Sequence, residues 1–206
     1  MMPARIALGP LALALLAACS ATDSIANPPG NGVRADEARL LALGLAGTAQ
    51  HYDGSALISA YEARTSGQTS FPFTLTVQQQ FPCPSAGGFM ADVIVAGSRT
   101  RNGPNEAVTA SHTGTVHPVS CAIPIGGGAI TVSGMPDLAV RGQIVVNPGR
   151  SPTVSFTANG VLSWDTSDGR SGSCALDFTA TGTFGTTSRA VRGKVCGQTL
   201  NFTGNL

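Results

Sequence analysis

The chain has 206 residues, of which 42% are hydrophobic and 11% are charged, and its formal net charge is +1. Because the usual charged fraction is roughly 25%, this composition argues against a nucleic-acid-binding protein, a coiled coil or an acidic disordered tail. The length fits one domain with a substantial core.

The N-terminus has the features of an export signal. A basic start at Arg5 precedes an apolar run at 6–16. A helix of that length would be roughly 16 Å long, about half of a bilayer's hydrocarbon core, so it cannot span a membrane. The run therefore predicts the hydrophobic region of a signal peptide.

The apolar run ends in Leu16-Ala17-Ala18-Cys19. This sequence resembles the lipobox of bacterial lipoproteins, in which a Leu and two small residues precede an acylated Cys. The resemblance implies that residues 1–18 are removed as a lipoprotein signal peptide. It also implies that Cys19 carries diacylglyceryl and N-acyl chains, including palmitate, that anchor the protein in a lipid bilayer.

The residue after the lipidated Cys implies the membrane in which the protein resides. In Gram-negative lipoproteins an Asp there retains the protein at the inner membrane. This chain has Ser20, so the resemblance implies the outer membrane, with the domain on its periplasmic or surface side. The alternative is an ordinary signal peptide cut after Ala21, which would remove Cys19.

A tether and a helix follow. Residues 19–35 predict a flexible tether, since 27–32 hold two Pro and two Gly. The pattern at 36–46 predicts one short helix, with Asp36 as its cap and Gly47 at its end. Its apolar face consists of Ala38, Leu41, Ala42 and Leu45. Residues 55–63 fit either a second short helix or a strand.

From Phe71 onward the apolar residues alternate with polar ones, which is typical of strands with one face in water. The predicted strands are 71–83, 89–97, 107–116, 128–134, 138–147, 154–164, 174–181, 189–196 and 198–204. Turn clusters lie between them, at 102–104, 126–128, 147–149 and 167–169. The short connections predict an antiparallel arrangement without crossover helices.

The predicted fold class is therefore all-β. We expect a disulfide-stapled β-sandwich or partly closed β-barrel of about eight or nine strands. One short N-terminal helix precedes it, and residues 36–206 form a single domain. A barrel embedded in lipid would need aromatic girdles, whereas only 5% of the residues are aromatic.

Four cysteines remain beyond the lipobox: Cys83, Cys121, Cys174 and Cys196. An even number in an exported chain favours two disulfides, and the absence of a Cys-x-x-Cys motif argues against a zinc site. Cys83 and Cys121 are equidistant from the turn at Asn102, and the other two are equidistant from Gly185. Because such residues face each other across a hairpin, we predict Cys83–Cys121 and Cys174–Cys196.

No motif predicts a catalytic or metal-binding residue. His112 and His117 lie five apart in a predicted strand and so point to opposite faces, which makes them poor joint ligands. We interpret them and His51 as surface or rim residues. The loop at 165–169 departs from the calcium-loop pattern and is interpreted as a hairpin turn.

Carboxylates for glycoside chemistry would have to come from Asp92, Asp137 or Asp177. We expect Asp92 and Asp177 on the outer face, with Asp177 near Arg189 or Arg192. No Gly-x-Ser-x-Gly motif is present, so the sequence gives no evidence for an enzyme, and no cofactor is predicted.

Three aromatic residues, Phe156, Trp164 and Phe178, share the apolar face of neighbouring predicted strands. Core packing is the favoured interpretation. If the sheet encloses a cavity, the same residues would face a small ligand.

Two functional hypotheses follow. The first is a membrane-anchored cell-envelope lipoprotein with a non-enzymatic structural or protein-interaction role. The alternative is a periplasmic module that carries a small apolar ligand in a barrel-like cavity. The run at 191–197 is similar to runs in uncharacterised exported bacterial proteins, and it is too short to imply a function.

Overall fold

The computed structural model describes residues 32–62, 70–102, 105–134 and 137–206. The side chains of 50–53, 55–62, 102 and 105 are outside that description. The predicted signal peptide, Cys19 and the tether up to residue 31 also lie outside the described residues.

One helix and nine strands make up the described fold. They are α1 (Ala35–Glu62), β1 (Ser70–Pro82), β2 (Ala86–Asn102), β3 (Asn105–Ile125), β4 (Gly128–Ser133), β5 (Leu138–Val146), β6 (Thr153–Thr166), β7 (Ser171–Thr183), β8 (Ser188–Val195) and β9 (Gln198–Asn205). All nine predicted strands are confirmed. The structure extends β2 and β3 furthest beyond their predicted ends.

The strands form one sheet in which neighbours pair antiparallel, in the order β1-β2-β3-β4-β6-β7-β8-β9. β3 is long enough to pair with two strands in turn: β5 pairs with residues 108–116 and β4 with residues 121–125. The all-β, antiparallel class is therefore confirmed. The arrangement is a single sheet rather than two packed sheets, and within the described residues the edge strands β1 and β9 do not pair.

The sheet curves around α1. The helix contacts β1, β2 and β3 from one half of the sheet and β7, β8 and β9 from the other. One helix can reach both edges only if the sheet bends over it. The inner face alternates with the outer one, as the buried Val93 and Val95 on either side of the exposed Ile94 show.

The prediction of a short helix was wrong. α1 has 28 residues and continues through Gly47 and through the ambiguous segment 55–62. The predicted face is buried, and so are Leu43 and Ala46, which lie outside it. A helix that is surrounded by apolar neighbours shows no single apolar stripe, which explains why the sequence pattern faded after the first turns.

The glycines in α1 permit close packing rather than ending the helix. A Cβ atom at Gly44 would lie 2.8 Å from the Cδ1 atom of Ile123 on β3. Glycine therefore lets the helix approach the sheet at this point, at a cost in helix propensity of about 1 kcal/mol. Tertiary packing offsets that cost.

Candidate functional site

The four cysteines form the two predicted disulfides. Cys83 is joined to Cys121 with a Cα–Cα distance of 5.5 Å, and Cys174 to Cys196 with 4.7 Å. The hairpin argument for the first bond was wrong, because Cys83 lies in the turn between β1 and β2 rather than in the strand that pairs with β3. That disulfide ties the turn to β3 across the end of β2.

The three aromatic residues predicted to face a ligand lie in the core. Phe156, Trp164 and Phe178 are 7%, 2% and 1% exposed. The rings of Phe156 and Phe178 meet edge to face, 5.9 Å apart. The void beside Phe156 measures about 10 Å³, which is room for about one water and far less than the roughly 300 Å³ of the smallest small-molecule sites. Core packing, the favoured interpretation, is what the structure shows.

The histidines do point to opposite faces, but only one of them lies on the surface. His117 donates a hydrogen bond from Nδ1–H to Oδ1 of the exposed Asp137 at 2.9 Å. His112 is 1% exposed, so its predicted surface position was wrong. It lies on the inward face of β3 beside Gly142, which has no side chain to occupy that space. The side chain of His51 lies outside the described residues.

Two of the three candidate carboxylates, Asp92 and Asp177, lie far apart. Asp92 and Asp177 are both exposed on the outer face, as predicted. They lie on one row of the sheet with three strands between them, about 19 Å apart at the usual strand spacing. Glycoside hydrolysis needs roughly 5–9.5 Å. The register places Lys194 directly opposite Asp177, whereas Arg189 is buried and donates to backbone carbonyls.

A polar cluster at the start of α1 was not predicted. The carboxylate of Glu37 is buried and accepts hydrogen bonds from Nη1 and Nη2 of Arg170 at 3.1 and 2.5 Å. It also accepts from the backbone N–H of Arg34 at 2.8 Å, so Glu37 satisfies the helix N-terminus rather than Asp36. We call Glu37, Arg170 and Asp168 the N-terminal cluster.

The charges in this cluster perturb one another. The hydrogen bond from Arg170 holds the pKa of Glu37 below its usual value, although burial opposes the shift. Asp168 lies in the β6–β7 turn, where hydrogen bonds from the Thr166 hydroxyl and then from Arg170 lower its pKa to about 2. Hydrogen bonds to Glu37 and Asp168 raise the pKa of Arg170.

The N-terminal cluster fastens the helix to the sheet. Arg170 also donates to the carbonyl of Gly32 at 3.1 Å, and Gln198 donates to that of Val33 at 3.2 Å. The last residues of the predicted tether are thus held at the β6–β7 and β8–β9 turns. The Asp165–Gly169 loop is a hairpin turn, as predicted, and its Asp168 carboxylate is used by Thr166 and Arg170. Among the described residues, no group of three His, Cys, Asp or Glu could hold a metal ion.

A cleft of about 390 Å³ opens where the two sheet edges approach α1. We call it the seam cleft. Leu40, Leu43 and Gly44 of α1 form one wall. The opposite walls come from the β1–β2 turn, the end of β3 and the C-terminus, and include Pro82, Cys83, Pro84, Ile123, Pro124 and Leu206. Leu40 and Leu206 are 37% and 39% exposed, so apolar surface faces water here.

The sequence held one local signal for this geometry. Acidic residues favour the positive N-terminal end of a helix, and Glu37 lies in the first turn of α1. Arg170 is 133 residues away from Glu37, and no local pattern links them. The seam cleft depends on four separate chain segments meeting, so no local sequence signal identifies it.

Comparison with known protein families, characterised proteins and solved structures finds no match for this chain. Within the described residues, no helix is both long enough and apolar enough to cross a membrane.

Proposed function

We propose that this protein is an outer-membrane lipoprotein, anchored through acylated Cys19, with a non-enzymatic structural or protein-interaction role in the cell envelope. The lipobox-like Leu16-Ala17-Ala18-Cys19 supports the anchor. The two disulfides support an oxidising compartment outside the cytoplasm, where such bonds persist.

One observation supports a function other than the transport of an enclosed ligand. α1 occupies the concave side of the curved sheet, and the void beside Phe156 is only about 10 Å³. A carrier that encloses its cargo needs roughly 300–1,000 Å³ of interior space. Contacts with other molecules are therefore assigned to outer surfaces and to the seam cleft rather than to the interior.

The anchor is tested by metabolic labelling of bacteria that express the full chain. With an alkyne-tagged palmitate, we expect label on the wild type and none on Cys19→Ala. A matched control is Ser20→Ala, which leaves the acylated residue in place and should retain the label. Label that persists in Cys19→Ala would overturn the proposed anchor.

The membrane assignment has its own test. The Ser20→Asp variant places an acidic residue directly after the lipidated Cys, which in Gram-negative lipoproteins favours inner-membrane retention. On density-gradient fractionation, the wild type should sediment with the outer membrane and Ser20→Asp with the inner membrane. Wild type in the inner-membrane fraction would contradict the proposed location.

A further inference from the structure

We propose that the seam cleft binds one medium-chain free fatty acid, with its hydrocarbon chain against α1 and its carboxylate in water. The volume of about 390 Å³ lies near the lower end of small-molecule sites. Along α1 the cleft runs from Leu40 to Thr48, which is about 12 Å at the helical rise. A narrow site of this size suits one chain better than the two chains of a diacyl lipid.

The chemistry of the walls selects an apolar, non-hydrogen-bonding occupant. None of the described side chains that line the seam cleft is charged, and only those of Thr48 and Asn205 are polar. The one hydroxyl, on Thr48, already donates to the carbonyl of Gly44 at 3.1 Å. A hydrocarbon chain needs no hydrogen bonds, and burying it against such walls is favourable.

An extended peptide fits the seam cleft less well. A peptide that adds to a sheet edge obtains its affinity from main-chain hydrogen bonds. Three of the wall residues, Pro82, Pro84 and Pro124, have no N–H to donate. The wall therefore offers too few donors for strand addition at this point, while it leaves the apolar contacts of a hydrocarbon chain intact.

Small residues on α1 keep the seam cleft open. A Cβ atom at Gly47 would meet only the side chain of Leu206, at 3.5 Å, so the space above Gly47 is available to a ligand. A larger side chain at this position would fill the cleft. Leu40, at its exposed mouth, can be made polar with little effect on the core.

The test is photolabelling of the full-length protein in membrane vesicles from the expressing bacteria. The probe is a decanoate analogue with a mid-chain diazirine and a terminal alkyne. After irradiation, reduction and trypsin digestion, mass spectrometry should find the label on the peptide that begins at Leu40. Excess unlabelled decanoate should compete it away.

Variants then locate the site. Gly47→Leu, which fills the seam cleft, and Leu40→Gln, which makes its mouth polar, should each lower the labelling of that peptide by about tenfold. Ile94→Gln is the matched control, because Ile94 is 51% exposed on the outer face of β2 and away from the cleft. Its labelling should equal that of the wild type.

Three results would overturn the proposal: no competed label on the wild type, unchanged label in both cleft variants, or an equal loss in Ile94→Gln. A cleft covered by a second copy of the chain or by a peptide would give the first of these results. The proposal goes beyond the proposed anchoring and does not depend on it. Failure of palmitate incorporation at Cys19 and failure of photolabelling at the cleft are separate observations.

Discussion

Two neighbouring regions of α1 differ in polarity and in exposure to water. At its N-terminus, Glu37 is buried and bonded to Arg170, and the turn residue Asp168 completes the cluster. Less than one helical turn further on, Leu40 faces water at the mouth of the seam cleft, among side chains that carry no charge. The first region is closed and fully bonded, whereas the second is open and apolar.

This difference indicates which of the two regions has a structural role and which one binds a ligand. Perturbed pKa values often mark functional sites, but structural ion pairs perturb them as well. Here the carboxylates with shifted pKa values have their oxygens engaged by Arg170, Thr166 and the helix N-terminus. We therefore assign the N-terminal cluster to fastening the helix and the seam cleft to ligand binding.

The largest expected effect is loss of the cation in the N-terminal cluster. Arg170→Met would leave Glu37 buried without its partner, so we expect the free energy of unfolding to fall by about 3–5 kcal/mol. Chemical denaturation monitored by circular dichroism measures this change. Arg192→Met, on an exposed residue of β8, is the matched control and should change stability by less than about 0.5 kcal/mol.

A double variant checks the mechanism of that loss. If Arg170→Met destabilises the protein because the buried carboxylate of Glu37 loses its partner, then adding Glu37→Gln should restore part of the stability. Losses that simply add would contradict the ion-pair interpretation.

The pH dependence of stability also tests whether the N-terminal cluster stabilises the fold. The pKa of Glu37 is lower in the folded protein than its ordinary value of 4.5, so its contribution is complete above pH 4.5 and is lost as the pH falls through the folded pKa. Asp168 acts in the same direction from 3.8 down to about 2. Stability should therefore fall on acidification below pH 4.5.

The Glu37→Gln variant isolates that contribution. At neutral pH we expect it to lose about 1.5–3 kcal/mol, the usual value of a charged hydrogen bond, and its stability should fall less steeply between pH 4.5 and pH 2. Asp36→Asn is the control, because Asp36 is exposed one residue earlier. Parallel acid profiles for wild type and Glu37→Gln would contradict the pKa shift.

Replacing either of two glycines on α1 by Ala should change the free energy of unfolding by a smaller amount, and the two changes should have opposite signs. Gly47→Ala should stabilise by up to about 1 kcal/mol, because it improves helix propensity and its Cβ meets only Leu206 at 3.5 Å. Gly44→Ala should instead lower stability by about 1 kcal/mol, since overpacking against Ile123 exceeds the propensity gain. Thermal unfolding measures both, and a stabilising Gly44→Ala would show that α1 does not pack closely at that point.

The smallest expected effect concerns Leu40. Because it is 37% exposed, Leu40→Gln should change the free energy of unfolding by less than about 0.5 kcal/mol. Denaturation of the variant beside the wild type measures this. A large loss of stability would show that Leu40 is part of the core. It would contradict the description of an open apolar mouth at the seam cleft.

The strand pattern could be predicted because period-two alternation is a local property. Val93, Ile94 and Val95 show it in consecutive residues. Symmetric spacing also gave the right disulfide partners, but for Cys83–Cys121 the hairpin reasoning behind it was wrong, because Cys83 lies in a turn. α1 was underestimated because a helix buried on most sides loses its apolar stripe. In sequence, Gly47 is typical of a helix end. In the structure α1 continues through it, and the space beside it is bounded by the side chain of Leu206.

The candidate sites were less predictable than the fold. Glu37 and Arg170 lie far apart in sequence, and neither residue type predicts burial. Phe156, Trp164 and Phe178 were assigned to the correct face, but whether that face encloses a cavity depends on what packs against it. The seam cleft lies between edge strands that do not pair within the described residues, and the pattern of either strand alone does not specify that.

The most direct test of the account asks where an apolar ligand enters. Amide NMR spectra of the full-length, ¹⁵N-labelled protein in lipid nanodiscs would be recorded during titration with decanoate. We predict shifts for the amides of Gly44, Gly47 and Leu206, and an unchanged indole N–H signal from Trp164, the only tryptophan. Shifts of Trp164, Phe156 and Phe178 with the two glycines unchanged would place the ligand in the interior and contradict the account.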